Sequence, residues 1–273
     1  MVRISDVWDR TVDVLRGRAA ILAGIAFLTM VLPAIAVGAV GNVVSVPTGA
    51  SLLGSLIQLV VVALLVTGVL AMTAVASDPL VDRAQGFRIA RQRLLPALGV
   101  SVALAIALLV VAVPIALFFV YSGAHLSAQG TVDMSQAAPG ASVGIGLATI
   151  AGGVLAIWVT ARIVPLFAVI VNERRGVGAL RRSLALTRGA TLRLIGVLIL
   201  YFIVLAVVML AVSSVVGVVA RLVLGAEAVG TVRFVLAVVS GLISAGATVV
   251  QTVFNARFYV AAVEREQRMA PLA

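Results

Sequence analysis

The sequence predicts an all-α integral membrane protein. Six transmembrane helices are expected to form three hairpins, each preceded by a short amphipathic helix at the cytoplasmic interface. The apolar content, six long apolar stretches and the distribution of arginine carry this expectation. Residues of the AVILMFWYC set make up 63% of the 273 residues and charged residues only 11%. A soluble domain runs nearer half apolar and a quarter charged, so the surface of this chain needs lipid as its solvent.

The apolar stretches run from Ala19 to Gly41, Leu52 to Ser77, Ala97 to Tyr121, Val143 to Val171, Leu194 to Val219 and Thr231 to Ala256. Each exceeds the ~20 residues that a helix needs to cross a ~30 Å hydrocarbon core. Cleavage of the first stretch as a leader after Ala34-Ile35-Ala36 is the alternative. Against it stands an 18-residue leading segment that carries Asp6, Asp9 and Asp13.

All 20 basic residues are arginine, and the formal net charge is +10. On a soluble domain this excess would suggest nucleic acid. Here the arginines flank the apolar stretches on alternate sides. Arg3, Arg10, Arg16 and Arg18 precede the first, and Arg83, Arg88, Arg91 and Arg93 fill the second connection. Arg174, Arg175, Arg181, Arg182, Arg188 and Arg193 fill the fourth, and Arg257, Arg265 and Arg268 follow the last stretch. The other side holds only Arg221 and Arg233, a split of 17 against 2 with Arg162 inside a span. By the positive-inside rule both termini are cytoplasmic. No nucleic-acid partner is expected; the partners are membrane lipids with anionic headgroups, and a membrane-protein partner or a second copy of the chain.

Each cytoplasmic segment before an outward-going span has one plan. Arg16 and Gly24 align without a gap with Arg91 and Gly99, and with Arg188 and Gly196. An amphipathic helix precedes the block: Trp8, Val12 and Leu15 share one face of the first, with Ser5 as its N-cap, and Val177, Leu180 and Leu184 one face of the third. The chain therefore reads as a single six-span membrane domain over residues 1–273, with repeat units of approximately 1–77, 78–171 and 172–273. The amphipathic helices are expected to lie in the interface plane.

Two spans carry stripes. Gly144, Ala148, Gly152, Ala156 and Thr160 recur every four residues, a ridge over which another backbone can approach closely. Ser240, Ser244, Thr248, Gln251 and Asn255 fall within an arc of about 80° on the sixth span and are expected to face inward, as interhelical glue or as the lining of a path. Arg162 lies nine residues before Val171, about 14 Å from that end of the span. A charge at such depth costs at least ~2.5–3.5 kcal/mol. It is expected to be buried and hydrogen-bonded near Gln251 or Asn255; ending the span at Ala161 would instead let it snorkel. Pro165 loosens the same helix, and Pro33 and Pro114 are expected to kink the first and third spans.

Catalytic machinery is sparse. There is no cysteine, His125 is the one histidine, and Asp133 is the one carboxylate near it. A triad or a metal site cannot be assembled from one histidine. Gly144-Ile145-Gly146 and Gly176-Val177-Gly178 lack the third glycine of a dinucleotide fingerprint. No cofactor, metal or catalytic residue is expected.

One segment resembles a known family. Arg162-Ile163-Val164-Pro165, then Glu173, then Ala179-Leu180-Arg181-Arg182-Ser183-Leu184-Ala185-Leu186-Thr187-Arg188-Gly189 with Arg193, resembles the membrane domain fused to some bacterial glycerophosphodiester phosphodiesterases and found in stand-alone membrane proteins. The resemblance implies the bacterial cytoplasmic (inner) membrane. It singles out Pro165, Glu173, Arg181, Arg182, Ser183, Arg188 and Arg193 as motif or lipid-headgroup residues. In the fused proteins the phosphodiester chemistry sits in a soluble barrel that has no counterpart in this sequence, so that activity is not implied. The expected function is a non-catalytic, lipid-associated or membrane-organising module. The alternative is a transporter or lipid-handling protein with a polar path along the sixth span. Reporter fusions after residues 86, 180 and 268 are expected to signal inside the cell, and those after 46, 132 and 226 outside. A C-terminus found outside would overturn the topology.

Overall fold

The computed structural model describes residues 3–43, 52–121, 125–126, 132–133, 141–176, 178–225 and 228–269. It is helical, with six helices long and apolar enough to cross a membrane. α1 (Ile4–Ala26) continues through a π-helical turn, Phe27–Val31, into α2 (Leu32–Val43). There follow α3 (Leu52–Ser77), α4 (Arg83–Tyr121), α5 (Ala141–Ile163), α6 (Leu166–Asn172), α7 (Gly178–Leu186), α8 (Thr191–Leu224) and α9 (Val229–Met269). A two-residue antiparallel ladder between α4 and α5 pairs β1 (His125–Leu126) with β2 (Val132–Asp133), so that His125 lies opposite Asp133 in register. Val177, on the expected face of the third amphipathic helix, lies outside the described residues.

The interruptions have local causes. The π turn comes just before Pro33, and Thr29 Oγ1 donates to the Ile25 carbonyl within it. Pro165 separates α5 from α6 by a turn at Val164–Pro165, because its ring cannot donate to the helical ladder. Pro96 and Pro114, by contrast, lie inside the continuous α4. Asp82 caps that helix, its carboxylate accepting the Gln85 backbone N–H at 2.7 Å. Arg18 leaves helical geometry (φ −130°, ψ 16°) and kinks α1.

α9 is the hub and touches α1, α2, α3, α6, α7 and α8, while α4 packs chiefly on α3. The core is concentrated at the end where the arginine-bearing connections meet. Leu22, Ile25, Leu70, Met72, Val75, Val169, Ile170 and Val253 are wholly or almost wholly buried there, and Phe258 and Leu194 anchor a second cluster beside them. Towards the other end the helices leave apolar side chains exposed, among them Leu109 and Val110 on α4, Leu147 and Val154 on α5, and Leu200 and Val207 on α8. A membrane-spanning surface has this character, since lipid covers it.

The faces that the bundle covers differ from the apolar faces read in the sequence. On α1 the buried stripe is Val7, Thr11 and Val14, one position around from Trp8, Val12 and Leu15; Trp8 is 45% exposed. Ser5 is no cap: the helix starts at Ile4, and the Ser5 hydroxyl donates to Asp6. On α7 the buried residues are Ala179, Ser183 and Leu186, whereas Leu184 is exposed. Small residues turn inward there because α7 lies against the backbones of α5 and α6. The segment before the first apolar stretch is continuous with it in α1, and that before the third is continuous with it in α4, whereas α7 is separate from α8.

At Gly144 the ridge on α5 faces a side chain. A Cβ at Gly144 would lie 2.9 Å from Phe118 Cζ, while Ala156 is exposed. A tighter contact, again with a side chain, occurs at Gly68 of α3. A Cβ there would overlap Thr29 Oγ1 and come within 2.8 Å of Thr29 Cβ. Gly68→Ala is therefore expected to lower the unfolding temperature in detergent, at a cost of about 1–3 kcal/mol for an overpacked core. Adding Thr29→Ala is expected to restore only part of it, because the Cβ–Cβ clash remains. An unchanged Gly68→Ala protein would refute this close contact.

Candidate functional site

The polar side chains that the sequence singles out converge where α6, α7 and the last turns of α9 meet. Glu173 follows α6 and is held by its own backbone N–H on the Val169 carbonyl. Its carboxylate accepts from Arg182 Nε at 3.0 Å, from Arg175 Nε at 2.9 Å and from the Tyr259 hydroxyl at 3.3 Å. Arg182 then grips Glu266 with both terminal nitrogens, at 3.0 and 2.6 Å. The hydrogen bond to Glu266 chiefly, and Glu173 after it, raises the affinity of this guanidinium for its proton against the opposing effect of burial. α7 is thereby tied to both α6 and α9 by one planar fork. Arg174, next to Glu173, holds a left-handed backbone (φ 56°) that a non-glycine residue seldom adopts. Gly189, at φ 81°, closes the turn after α7 where a side chain would be strained.

Arg162 joins this cluster and not the sixth span. One of its terminal nitrogens donates to the Leu184 carbonyl at 3.1 Å, and its guanidinium sits 5.3 Å from the centre of the Trp158 ring. The Ser183 hydroxyl donates back to the Arg162 carbonyl at 2.8 Å. The expected contact with Gln251 or Asn255 is thus replaced by the C-terminal turn of α7, whose carbonyls carry the negative end of the helix dipole. Arg162 Nε is buried and has no hydrogen-bond partner among the described residues. Arg18 does the same at α3: it donates to the carbonyls of Val75 (2.6 Å), Asp78 (3.1 Å), Val81 (3.1 Å) and Pro79.

The stripe of the sixth span divides. Ser244 is exposed and does not face inward as expected, whereas Thr248 is half-buried and donates to the carbonyl of Ser244 on its own helix. Ser240 is half-buried. Gln251 and Asn255 line a cavity with α1 and α8. Of the remaining motif residues, Arg181, Arg188 and Arg193 are exposed, and Pro165 marks the α5–α6 break.

Sequence reasoning missed Arg18 as a cap, and Tyr259, Glu264 and Glu266 as partners. Glu264 accepts from Arg10 at 3.1 Å. The available signal was scarcity: with ten carboxylates to 20 arginines, a glutamate in an arginine-rich segment is a candidate anchor. No family model, curated protein or solved structure matches this chain. Fold and site together define a multi-helix protein with membrane-spanning helices and an arginine–carboxylate network at one end.

Arg182→Met is expected to lower stability by about 1–3 kcal/mol, less than for a fully buried pair because the network is partly solvated. Glu173→Gln should cost more than Glu266→Gln, since Glu173 is 17% exposed and Glu266 43%. Thermal unfolding of the three variants in one detergent tests the order; equal losses from both glutamates would contradict it.

Proposed function

We propose that this protein is a non-catalytic module of the bacterial cytoplasmic membrane that associates with anionic lipid headgroups and organises lipid or a membrane-protein partner around it. Both termini are cytoplasmic in this reading, and the six spans form three hairpins. The amphipathic segments before the spans lie along the cytoplasmic interface. The observation that carries the reading is the division of labour among the arginines. Arg18, Arg162 and Arg182 are committed to carbonyls and carboxylates inside the protein, whereas Arg181 and Arg188 of the same α7 region stay exposed. Exposed arginines beside membrane-spanning helices suit lipid phosphate.

The resemblance to the phosphodiesterase-associated membrane domain belongs to the same reading. Its motif residues Arg162, Glu173, Arg182 and Ser183 are bonded to α7 or to each other, which favours a part in shape over a part in chemistry. The transporter reading draws less support, because the wall around Gln251 and Asn255 is chiefly apolar and Ser244 is exposed.

Native mass spectrometry of the protein released from mixed vesicles tests the proposal. Phosphatidylglycerol is expected to be retained in preference to phosphatidylcholine. Arg181→Gln with Arg188→Gln should weaken retention roughly 30-fold, at about 1 kcal/mol for each arginine. Equal retention of the two lipids would refute the headgroup reading.

A further inference from the structure

Where α3 ends, a cavity of about 180 Å³ opens between the α3–α4 connection, α4 and the end of α6. The buried Ala74 and Val171 line it together with Asp78, Arg93, Asn172 and Arg174. Three stretches distant in sequence thus bring two guanidinium groups and a carboxylate to one hollow. These charges do not neutralise each other. Among the described residues neither Arg93 nor Arg174 has a hydrogen-bond or ion-pair partner, and Asp78 has no ion pair.

The polar groups are fixed from behind. Asp78 Oδ1 accepts the Leu80 backbone N–H at 2.8 Å, and the Asp78 carbonyl accepts from Arg18 at 3.1 Å. Its second carboxylate oxygen has no partner among the described residues. The Asn172 amide nitrogen donates to the Ala168 carbonyl at 2.8 Å and to the Ser77 hydroxyl at 3.2 Å, which leaves Oδ1 as an acceptor. Arg93 is half-buried on α4. Glu173 and Arg175 pair with each other at 2.9 Å, while Arg174 between them lines the cavity from its left-handed backbone. Such a backbone in a non-glycine residue marks a place where the position of the side chain matters.

An occupant must answer both signs of charge. A plain anion would satisfy the arginines and leave the carboxylate facing it. A phosphate joined to a primary ammonium answers both, since the ammonium carries three N–H donors for Asp78 and Asn172 Oδ1. A choline headgroup has the same charges and no donor. A phosphoserine headgroup would bring its own carboxylate to Asp78.

We propose that this cavity binds the phosphoethanolamine headgroup of a lipid, with the phosphate at Arg93 and Arg174 and the ammonium at Asp78 and Asn172. The hollow is smaller than the roughly 300–1,000 Å³ of sites that enclose a whole small molecule, so the acyl chains stay outside it. Leu80, next to it in the α3–α4 connection, is 85% exposed, an apolar side chain that a lipid interface would cover. The inference rests on the membrane setting proposed above but not on anionic-headgroup binding at α7.

Native mass spectrometry of the full chain in detergent, titrated with short-chain lipids, tests it. The series is phosphatidylethanolamine, its N-methyl and N,N-dimethyl forms, and phosphatidylcholine. Affinity is expected to fall along the series, by about tenfold from first to last, the worth of one charge-assisted hydrogen bond. Asp78→Asn keeps the oxygen that accepts from Leu80 and should bring the ratio of the two end members close to one. That ratio is independent of how much of the variant is folded. Arg93→Gln should weaken both end members alike, by about tenfold. Soluble O-phosphoethanolamine, the headgroup without chains, should bind more weakly than the lipid. Equal affinity for phosphatidylethanolamine and phosphatidylcholine, a ratio indifferent to Asp78→Asn, affinities indifferent to Arg93→Gln, or O-phosphoethanolamine bound as tightly as the lipid would each overturn the proposal. Phosphatidylglycerol retention that still depends on Arg181 and Arg188 would leave the reading of α7 standing in every such case.

Discussion

An arginine side chain cannot shed its proton at any pH a cell meets, so a guanidinium turned towards a bundle of apolar helices must find oxygen acceptors. With ten carboxylates for 20 arginines, the fold supplies much of that need from backbone. Helix C-termini are the natural source, since their last carbonyls have no intrahelical donor and carry the negative end of the dipole. Arg18 occupies the end of α3 and Arg162 the end of α7. Each such contact fixes where one helix stops relative to another. The kink at Arg18 and the break at Pro165 are the local deformations that let these side chains arrive.

Arg182 uses carboxylates instead, and its two partners come from segments far apart in the chain. Glu173 follows α6 and Glu266 lies near the end of α9, so one side chain closes the arginine-bearing end around α7. This tight end contrasts with the exposed apolar surfaces of α4, α5 and α8 further along. Between lipid and protein hydrocarbon there is little hydrophobic preference, so packing and hydrogen bonds must supply the specificity of helix contact. Those interactions are gathered at one end, together with the Gly68–Thr29 approach and the hub position of α9.

The same end bears a charged and an uncharged cavity on opposite faces of α1. The start of α1 is thus polar on one side and apolar on the other. The exposed Arg181 and Arg188 extend the basic surface around α7.

The sequence by itself determined the number and extent of the membrane-crossing helices. It also marked Pro165 as a weak point in its helix, because hydropathy and helix-breaking are local properties of the chain. It did not say which residues of α1 and α7 the bundle covers, and it expected an inward stripe where Ser244 is exposed. A helix's apolar face is wide, and only its neighbours decide which edge is covered; α7 buries Ala179 and Ser183 because the backbones of α5 and α6 come close. The partner of Arg162 was illegible for the same reason. Acceptors on α7 and α9 were equally available in sequence, and the turn after Pro165 brought α7 within reach. Hydrogen-bond partners distant in sequence are chosen by where the chain folds back, which only the tertiary structure decided.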